Sequence, residues 1–178
     1  MNPLKPSTAS SPASSPASFP TPFTGATAAV KPEYIDHNGH MNVGYYHVIF
    51  DEAAGPFFRA FGLTPEFRKR HGSSTFALES HLHFVREVHV GDPLRFEARL
   101  LDFDHKRIHF YQEMFHATEG WLAATYETLS VHVDMATRRT APMPQELADQ
   151  LARVLEAHKA LPTPWQVGHV ISARPVGR

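Results

Sequence analysis

The chain has 178 residues and contains no cysteine. Disulfide bonds, thiolate metal sites and a cysteine nucleophile are therefore excluded, and the composition is typical of a reducing compartment such as the cytoplasm. The formal net charge is only −1, so the chain lacks the basic surface that binds nucleic acid. No uninterrupted apolar run approaches the roughly 20 residues of a membrane-spanning helix. Neither nucleic acid nor a membrane is therefore an expected partner.

The beginning of the chain is rich in Ser, Pro, Ala and Thr, and such a segment buries too little apolar surface to offset the entropy lost on ordering. We therefore predict that residues 1–25 form a disordered extension. The segment has neither the apolar run of a secretory signal nor the arginines of a transit peptide. The rest of the chain is long enough for one domain with a sizeable core, which we place at residues 26–160, before an irregular tail over residues 161–178.

Apolar periodicity predicts a long helix early in the domain. Apolar residues recur at three- and four-residue spacing over residues 43–63, and because few polar residues interrupt them we expect burial on most sides. Gly55-Pro56 is expected to kink this helix and Gly62 to end it. A short strand is predicted before it, over residues 28–35, and a short helical piece after it, around residues 64–71.

The second half of the domain alternates with a period of two, which is typical of strands. The first such strand is expected to place apolar side chains on one face and a carboxylate with two imidazoles on the other. The apolar face comprises Phe76, Leu78, Leu82 and Phe84, and the polar face comprises Glu79, His81 and His83. Three further strands form an antiparallel meander, and residues 145–158 form an amphipathic helix. A sheet of this kind can curl around the long helix, so the predicted fold is α+β in the hotdog arrangement.

The most informative stretch is Asp36 to Asn42, directly before the long helix. It brings together a carboxylate, two imidazoles and two amides around Gly39. At a helix start the backbone N–H groups point outward and the helix dipole favours negative charge. A carboxylate there can attack a carbonyl or activate water, while the N–H groups hold the oxyanion that develops. From spacing alone, Asp36 can equally be a turn residue and Asn42 a helix N-cap.

The run from Asp36 to Tyr46 resembles the hotdog-fold acyl-CoA thioesterases of the 4-hydroxybenzoyl-CoA thioesterase-like group. That group carries Asp-x-x-Gly-His-x-Asn and a tyrosine a few residues on. Further segments resemble one branch of the group, the betainyl-CoA thioesterases of carnitine breakdown, which also occur fused to carnitine dehydrogenases. These are residues 79–84, 87–93, 104–109, 132–134 and 138–139. The resemblance covers residues 28–170.

This resemblance implies hydrolysis of a small acyl-CoA, with betainyl-CoA as the acyl-CoA of the similar branch. Coenzyme A is then part of the substrate, and no separate cofactor is expected. It also implies a homodimer or homotetramer with each active site at a subunit interface. In that group Asp36 matches the catalytic carboxylate, acting as nucleophile or as general base, and Val43 matches the residue whose N–H polarises the thioester carbonyl. Gly39 matches the glycine of the tight turn.

Other residues are candidates for supporting roles. We expect the apolar helix to raise the pKa of Asp36. His40 orients Asp36, or lines the thioester pocket, or is a histidine bonded to the backbone at the helix start. Asn42 either contacts the substrate or only caps the helix. Tyr46 either packs on a quaternary ammonium acyl group or belongs to the core.

Four candidates for substrate binding lie outside the motif. Glu79 and His81 either complete the site from a second subunit or form a solvated strand face. Lys106 and Arg107 either hold the phosphates of coenzyme A or lie in a solvated turn. Histidines on the strand could ligate zinc, but no His-Glu-x-x-His motif occurs and this chemistry needs no metal, so no metal site is predicted.

Two alternative functions remain open. Hotdog enoyl-CoA hydratases carry Asp-x-Asn-Pro-x-His, and residues 36–38 begin in that way, but Gly39 replaces the proline and His40 comes one residue early. A non-catalytic module that binds acyl-CoA as a sensor or scaffold is the other alternative. A regulator would be expected to carry a DNA-binding element, and no basic helix-turn-helix is visible.

Overall fold

The computed structural model describes residues 19–173, and its centre is one antiparallel sheet. The strands follow the order β1-β3-β4-β5-β2, and a two-residue β6 pairs with the end of β5. Their bounds are β1 Phe23–Ala29, β2 Ser73–Phe84, β3 Pro93–Phe103, β4 Arg107–His116, β5 Leu122–Asp134 and β6 Arg139–Thr140. Since β2 pairs only with β5 among the described residues, its outer edge is open.

Three helices accompany the sheet: α1 Val43–Ala60, α2 Pro65–His71 and α3 Gln145–His158. One side of α1 lies on the sheet, where Phe50 packs edge-to-face on Phe96 with ring centroids 5.6 Å apart. The α+β prediction is confirmed. The expected burial of α1 on most sides is wrong in the single chain, because the sheet covers only one side and leaves Val48 and Glu52 exposed.

The helix is otherwise close to its prediction. It continues through Pro56 and ends at Ala60, slightly before the predicted end. Gly62 follows with φ 99°, a conformation that glycine adopts at little cost, and it separates α1 from α2 as expected. Among residues 19–173 no helix has both the length and the apolar character needed to cross a bilayer.

The first strand lies earlier than predicted. Instead of residues 28–35, β1 covers Phe23–Ala29, and a 3-10 helix follows at Pro32–Tyr34. The reason is Pro32, which has no N–H for a strand ladder but suits the first turn of a helix. The predicted strand therefore ends at Ala29, and Pro32–Tyr34 form a 3-10 helix where a strand was expected.

The predicted boundary of the disordered extension, residue 25, lies too far along the chain. The Phe19 and Phe23 rings lie 6.3 and 5.6 Å from the Phe57 ring at the core, so residues 19–25 belong to the folded domain. Residues 1–18 lie outside the described residues. The N-terminal segment is also held by His158, whose Nδ1 accepts from the Leu100 N–H and whose Nε2 donates to the Pro20 carbonyl, both at 2.9 Å.

A β-bulge divides β2 at Leu78. Ala77 pairs with Ser130 of β5 and Glu79 pairs with the adjacent Leu129, so Leu78 has no partner. The extra residue reverses the alternation, and Phe76 therefore faces away from α1 while Leu82 and Phe84 face towards it. The prediction that all four apolar residues share one face is wrong for this reason.

The C-terminal tail crosses the sheet face that is turned away from α1. Through residue 173 it contains turns but no helix or strand. Arg99 donates to the Pro162 carbonyl at 2.9 Å, and the Gly168 N–H donates to Glu127 Oε2 at 2.8 Å. The tail thus covers the outward side of β4, where Tyr111 is almost fully buried.

Candidate active site

A tight turn precedes α1 and presents the predicted catalytic carboxylate. The Gly39 N–H donates to the Asp36 carbonyl at 3.0 Å, and the Asp36 N–H donates to the His40 carbonyl at 3.1 Å. Gly39 has φ 82°, which any residue with a Cβ adopts at a cost. The glycine therefore fixes the geometry of the tight turn, as expected.

The start of α1 is capped by Asn42. Its Oδ1 accepts from the Gly44 N–H at 2.9 Å, so the predicted N-cap role is confirmed. Val43 is the first helical residue, and its N–H has no acceptor among residues 19–173. At the positive end of the helix dipole, this N–H is available to an oxygen that gains negative charge.

Asp36 is ionised at neutral pH. Its Oδ1 accepts from the Asn38 N–H at 2.8 Å, and this bond, with smaller effects from His40 and His37, lowers the pKa of Asp36 below its ordinary value of 3.8. The expectation that apolar surroundings raise this pKa is wrong in the single chain, because the carboxylate lies in an accessible turn beside the helix. Asp36 also serves as a turn residue, as its alternative interpretation proposed.

A cavity of about 340 Å³ lies against the start of α1. It is lined by His40, Met41, Val43, Tyr46, Phe84, Val85, Arg86 and Glu87. The Phe84 ring meets the Tyr46 ring edge-to-face at 5.0 Å. Burial raises the pKa of Tyr46 to about 12, with a smaller contribution from the Glu87 charge, so its hydroxyl stays neutral. The cavity is thus mainly apolar and adjoins the Val43 N–H.

His40 is bonded to the backbone, as one of its alternative interpretations proposed. Its Nδ1 lies 3.2 Å from the Met41 carbonyl oxygen, and because a carbonyl only accepts, Nδ1 carries the proton in this bond. The ring also lines the cavity. His40 is therefore held by the backbone at the edge of the space where a thioester would lie.

Glu79 and His81 lie elsewhere in the single chain. They share a strand face, as predicted, but that face is turned away from α1 and lines a second cavity of about 400 Å³ with His109 and Glu127. His109 Nε2 bonds Glu127 at 2.8 Å. Within the described residues, no group of three or more His, Cys, Asp or Glu side chains is arranged to hold a metal ion.

Lys106 and Arg107 lie at the opposite end of the sheet from Asp36. Val30, shortly before the motif, donates its N–H to the Asp92 carbonyl, and Asp92 directly precedes β3. Lys106 and Arg107 follow the other end of β3, and the strand separates the two ends by about 30 Å. The Asp104 carboxylate accepts from both of their backbone N–H groups and from the Arg107 guanidinium. One chain therefore does not bring these two cations to its own motif.

The segment after β2 supplies site residues that sequence reasoning missed. Val88 is fully buried and its carbonyl accepts from the Met41 N–H at 3.0 Å, which ties this segment to the motif. Phe84 and Val85 line the cavity, although both are about half exposed. The one sequence signal for them is an apolar pair at a strand end, which is too common to identify a site.

The local arrangement has the parts of an acyl-transfer site. It combines an ionised carboxylate in the turn before α1, a helix-terminal N–H without an acceptor among residues 19–173, and a cavity that Val43 lines and Asp36 does not. A carbonyl placed over the Val43 N–H would be polarised there, and its oxyanion stabilised as charge develops.

Comparison with known proteins points to the same chemistry. Residues 30–151 match the family described as the thioesterase-like superfamily. A betainyl-CoA thioesterase of Pseudomonas aeruginosa is 35% identical over 147 residues, which are 83% of this chain and 92% of that protein. An L-carnitine dehydrogenase/betainyl-CoA thioesterase of Rhizobium meliloti is 28% identical over 82% of this chain, which spans only 29% of that longer protein.

A solved structure supports the fold. A Staphylococcus aureus protein in complex with CoA superposes with a TM-score of 0.79 at 28% identity, covering 89% of this chain and 100% of that one. The hotdog arrangement and the family resemblance predicted from the motif at Asp36 are thereby confirmed. The chain belongs to the thioesterase-like superfamily.

Proposed function

We propose that this thioester hydrolase acts on betainyl-CoA and releases betaine and free coenzyme A in the cytoplasm. The observation that carries the proposal is the ionised Asp36 in the turn directly before α1, together with the Val43 N–H, which has no acceptor among residues 19–173. The acyl group is supported by the Pseudomonas aeruginosa relative, which this chain matches over most of both lengths. The absence of cysteine supports the compartment.

The proposed reaction begins with the thioester carbonyl oxygen accepting from the Val43 N–H. Asp36 removes a proton from water, the water oxygen bonds to the carbonyl carbon, and the carbonyl oxygen becomes an oxyanion held at the positive end of α1. When the tetrahedral intermediate collapses, the carbon–sulfur bond breaks and the coenzyme A thiolate leaves. In the alternative route Asp36 itself bonds to the carbonyl carbon, and water then opens the mixed anhydride.

The active form is proposed to be a homodimer joined along the open edge of β2. Exposed apolar side chains cluster at this edge and on the uncovered side of α1: Val43, Val48, Phe76, Leu78, Phe84 and Val85. An open strand with such side chains is a ready template for pairing with a second copy. Pairing of two β2 strands would leave no open edge there and would cover the apolar side of α1.

Antiparallel pairing about a two-fold axis would also bring opposite ends of the two sheets together. The Ser73 end of one β2 would then lie beside the Phe84 end of the other. Lys106 belongs to the Ser73 end, because its carbonyl accepts from the His132 N–H at the end of β5. The partner's Lys106 and Arg107 would thus approach the cavity at the start of α1, where the phosphates of coenzyme A need cations.

The reaction is tested with purified protein and a panel of acyl-CoAs, following thiol release. We expect the highest kcat/KM with betainyl-CoA, and a loss of about 10²–10⁴-fold in kcat for Asp36→Asn. Glu33→Gln is the matched control, since Glu33 is an exposed carboxylate shortly before the turn. Full activity of Asp36→Asn would refute the mechanism, and a higher kcat/KM with an uncharged short acyl-CoA would refute the acyl group.

The same panel tests the alternatives and the assembly. Water addition to crotonyl-CoA without thiol release would favour a hydratase, and tight acyl-CoA binding without turnover would favour a binding module. Leu78→Lys places a charge at the middle of the β2 edge. We expect this variant to be monomeric by light scattering and inactive, and an active monomer would refute the shared site.

A further inference from the structure

A third cavity, of about 310 Å³, lies under the middle of α1 and is distinct from the one at the helix start. It is lined by α1, α2 and the strands β2, β4 and β5, and Asp51 in this lining is an exposed residue. Its polar lining comprises Asp51, Arg68, Thr75, Gln112, Thr128 and Ser130. Along β5, Thr128 is about 13 Å from Ala124, the residue that pairs with Phe84 of the first cavity.

Three polar atoms of this lining are buried without a hydrogen-bond partner in the described protein. They are Gln112 Oε1, Thr128 Oγ1 and Arg68 Nε. Gln112 is fully buried, and its Nε2 donates to the Phe50 carbonyl at 3.3 Å, which leaves the amide oxygen unpaired. Because leaving such atoms unpaired is costly, native proteins satisfy them with ligands or ordered water.

The cavity also contains opposite charges that do not pair with each other. The Asp51 carboxylate and the Arg68 guanidinium form no ion pair or side-chain hydrogen bond with any residue in the range 19–173. Aromatic rings of Phe58 and Tyr126 complete the walls. A carboxylate with aromatic rings suits a compact organic cation, and a guanidinium with a hydroxyl suits a carboxylate.

We propose that this cavity binds a small zwitterion that carries a quaternary ammonium and a carboxylate. The ammonium lies against Asp51 and the Tyr126 ring, and the carboxylate accepts from Arg68 and Thr128. The choice of betaine as the probe rests on the proposed function, of which betaine is the product. Only the free acid carries the carboxylate that Arg68 and Thr128 would bind, because in the substrate this group is the thioester, so the expected occupant is free betaine.

Binding is measured by calorimetry on the full chain carrying Asp36→Asn, so that turnover plays no part. The two probes are betaine and 3,3-dimethylbutanoate, which has the same shape with carbon in place of nitrogen. We expect betaine to bind at least about tenfold more tightly, because only betaine carries the positive charge that Asp51 attracts. Asp51→Asn should abolish this discrimination, and Glu52→Gln, its exposed neighbour on α1, should preserve it.

The carboxylate end has its own variant. Arg68→Gln should weaken both probes by about tenfold, whereas Lys69→Gln, an exposed neighbour on α2, should not. In the active protein we expect noncompetitive inhibition by betaine that Asp51→Asn weakens, because this cavity is distinct from the one at the helix start. Competitive inhibition that Asp51→Asn leaves unchanged would place betaine at the helix start and contradict the proposal.

Three results would overturn the proposal. In the first, betaine does not bind. In the second, betaine binds the Asp51→Asn and Arg68→Gln variants as tightly as the chain without these substitutions. In the third, a crystal structure with betaine shows ordered water alone in the cavity. The outcome is separable from that of the proposed function. Betaine binding without hydrolysis of betainyl-CoA would refute the function and keep the site, and hydrolysis without betaine binding would do the reverse.

Discussion

The role of the Val43 N–H is open to an unusually selective test, the substitution Val43→Pro. Proline is favoured at the first position of a helix, where its missing N–H has no intrahelical acceptor. The residue before proline must be extended, and Asn42 already has φ −63° and ψ 143°. The Asn42 bond to the Gly44 N–H does not involve the substituted residue. The substitution therefore removes one hydrogen-bond donor and leaves the helix start as it is.

The expected loss follows from the number of donors. The Val43 N–H is the donor that the helix start offers, because the next N–H, of Gly44, is bound to Asn42. Removal of one oxyanion donor costs about 3–4 kcal/mol, or roughly 10²–10³-fold in kcat. The Val43 side chain is 57% exposed, so the free energy of unfolding should change by only about 0.5 kcal/mol.

The measurement compares Val43→Pro with Val43→Ala, which shortens the side chain but keeps the N–H. We expect Val43→Ala to remain near wild-type activity and Val43→Pro to lose about 10²–10³-fold in kcat at an unchanged Tm. Val43→Pro within threefold of Val43→Ala would refute oxyanion binding by this N–H. A large drop in Tm for Val43→Pro would instead show that the helix start had changed.

The remaining predictions concern pH and stability. Since the pKa of Asp36 lies below 3.8, the acid limb of kcat/KM due to this group should lie below pH 3.8. Burial lowers the pKa of His158, so its unfolded form binds protons more readily and stability should fall as pH decreases below 6.5. His158→Ala should lower the free energy of unfolding by about 3 kcal/mol, because one buried and one partly buried hydrogen bond are lost. Arg107 lowers the pKa of Asp104, so Asp104→Asn should remove part of the stability present above pH 3.8 and lost on acidification.

Each of these has a contradicting result. A kcat/KM that declines between pH 7 and 5 in wild type, and not in Asp36→Asn, would show that the pKa of Asp36 lies above 3.8 and would contradict the prediction. Urea melts of His158→Ala that match wild type would contradict the two hydrogen bonds. For Asp104, acid melts compared with Asp102→Asn, a nearby exposed carboxylate, give the control.

Local signals account for the part of the site that was predictable from sequence. Asn42 as N-cap, Gly39 as the turn glycine and Val43 as the helix start each depend on a few neighbouring residues, and the structure places them as expected. Local chemistry also explains one failure. The pKa of Asp36 was expected to be raised because the following helix is apolar. The Asn38 N–H that lowers this pKa belongs to the turn, so the apolar pattern of the helix does not predict it.

Features that depend on pairing between distant segments were not predictable. Assigning strand faces by alternation assumes that every residue of β2 pairs with a residue of β5. The bulge at Leu78 breaks this pairing, so the face predicted for Phe76 is wrong. The position of Lys106 likewise follows from the order of strands and not from its neighbours. The cavity under α1 combines Asp51 with Gln112 and Thr128, and no spacing in the sequence relates them.

The hydrogen bond between His158 and the Pro20 carbonyl has a practical consequence for handling the protein. Together with the packing of Phe19 on Phe57, it anchors the incoming chain at the α3 end of the sheet. The length of β1, about 23 Å, separates this anchor from the catalytic turn. A purification tag, a surface linker or a fused enzyme attached ahead of Phe19 would therefore lie away from the catalytic turn of its own chain, whereas trimming the chain past Pro20 would loosen the core at Phe57.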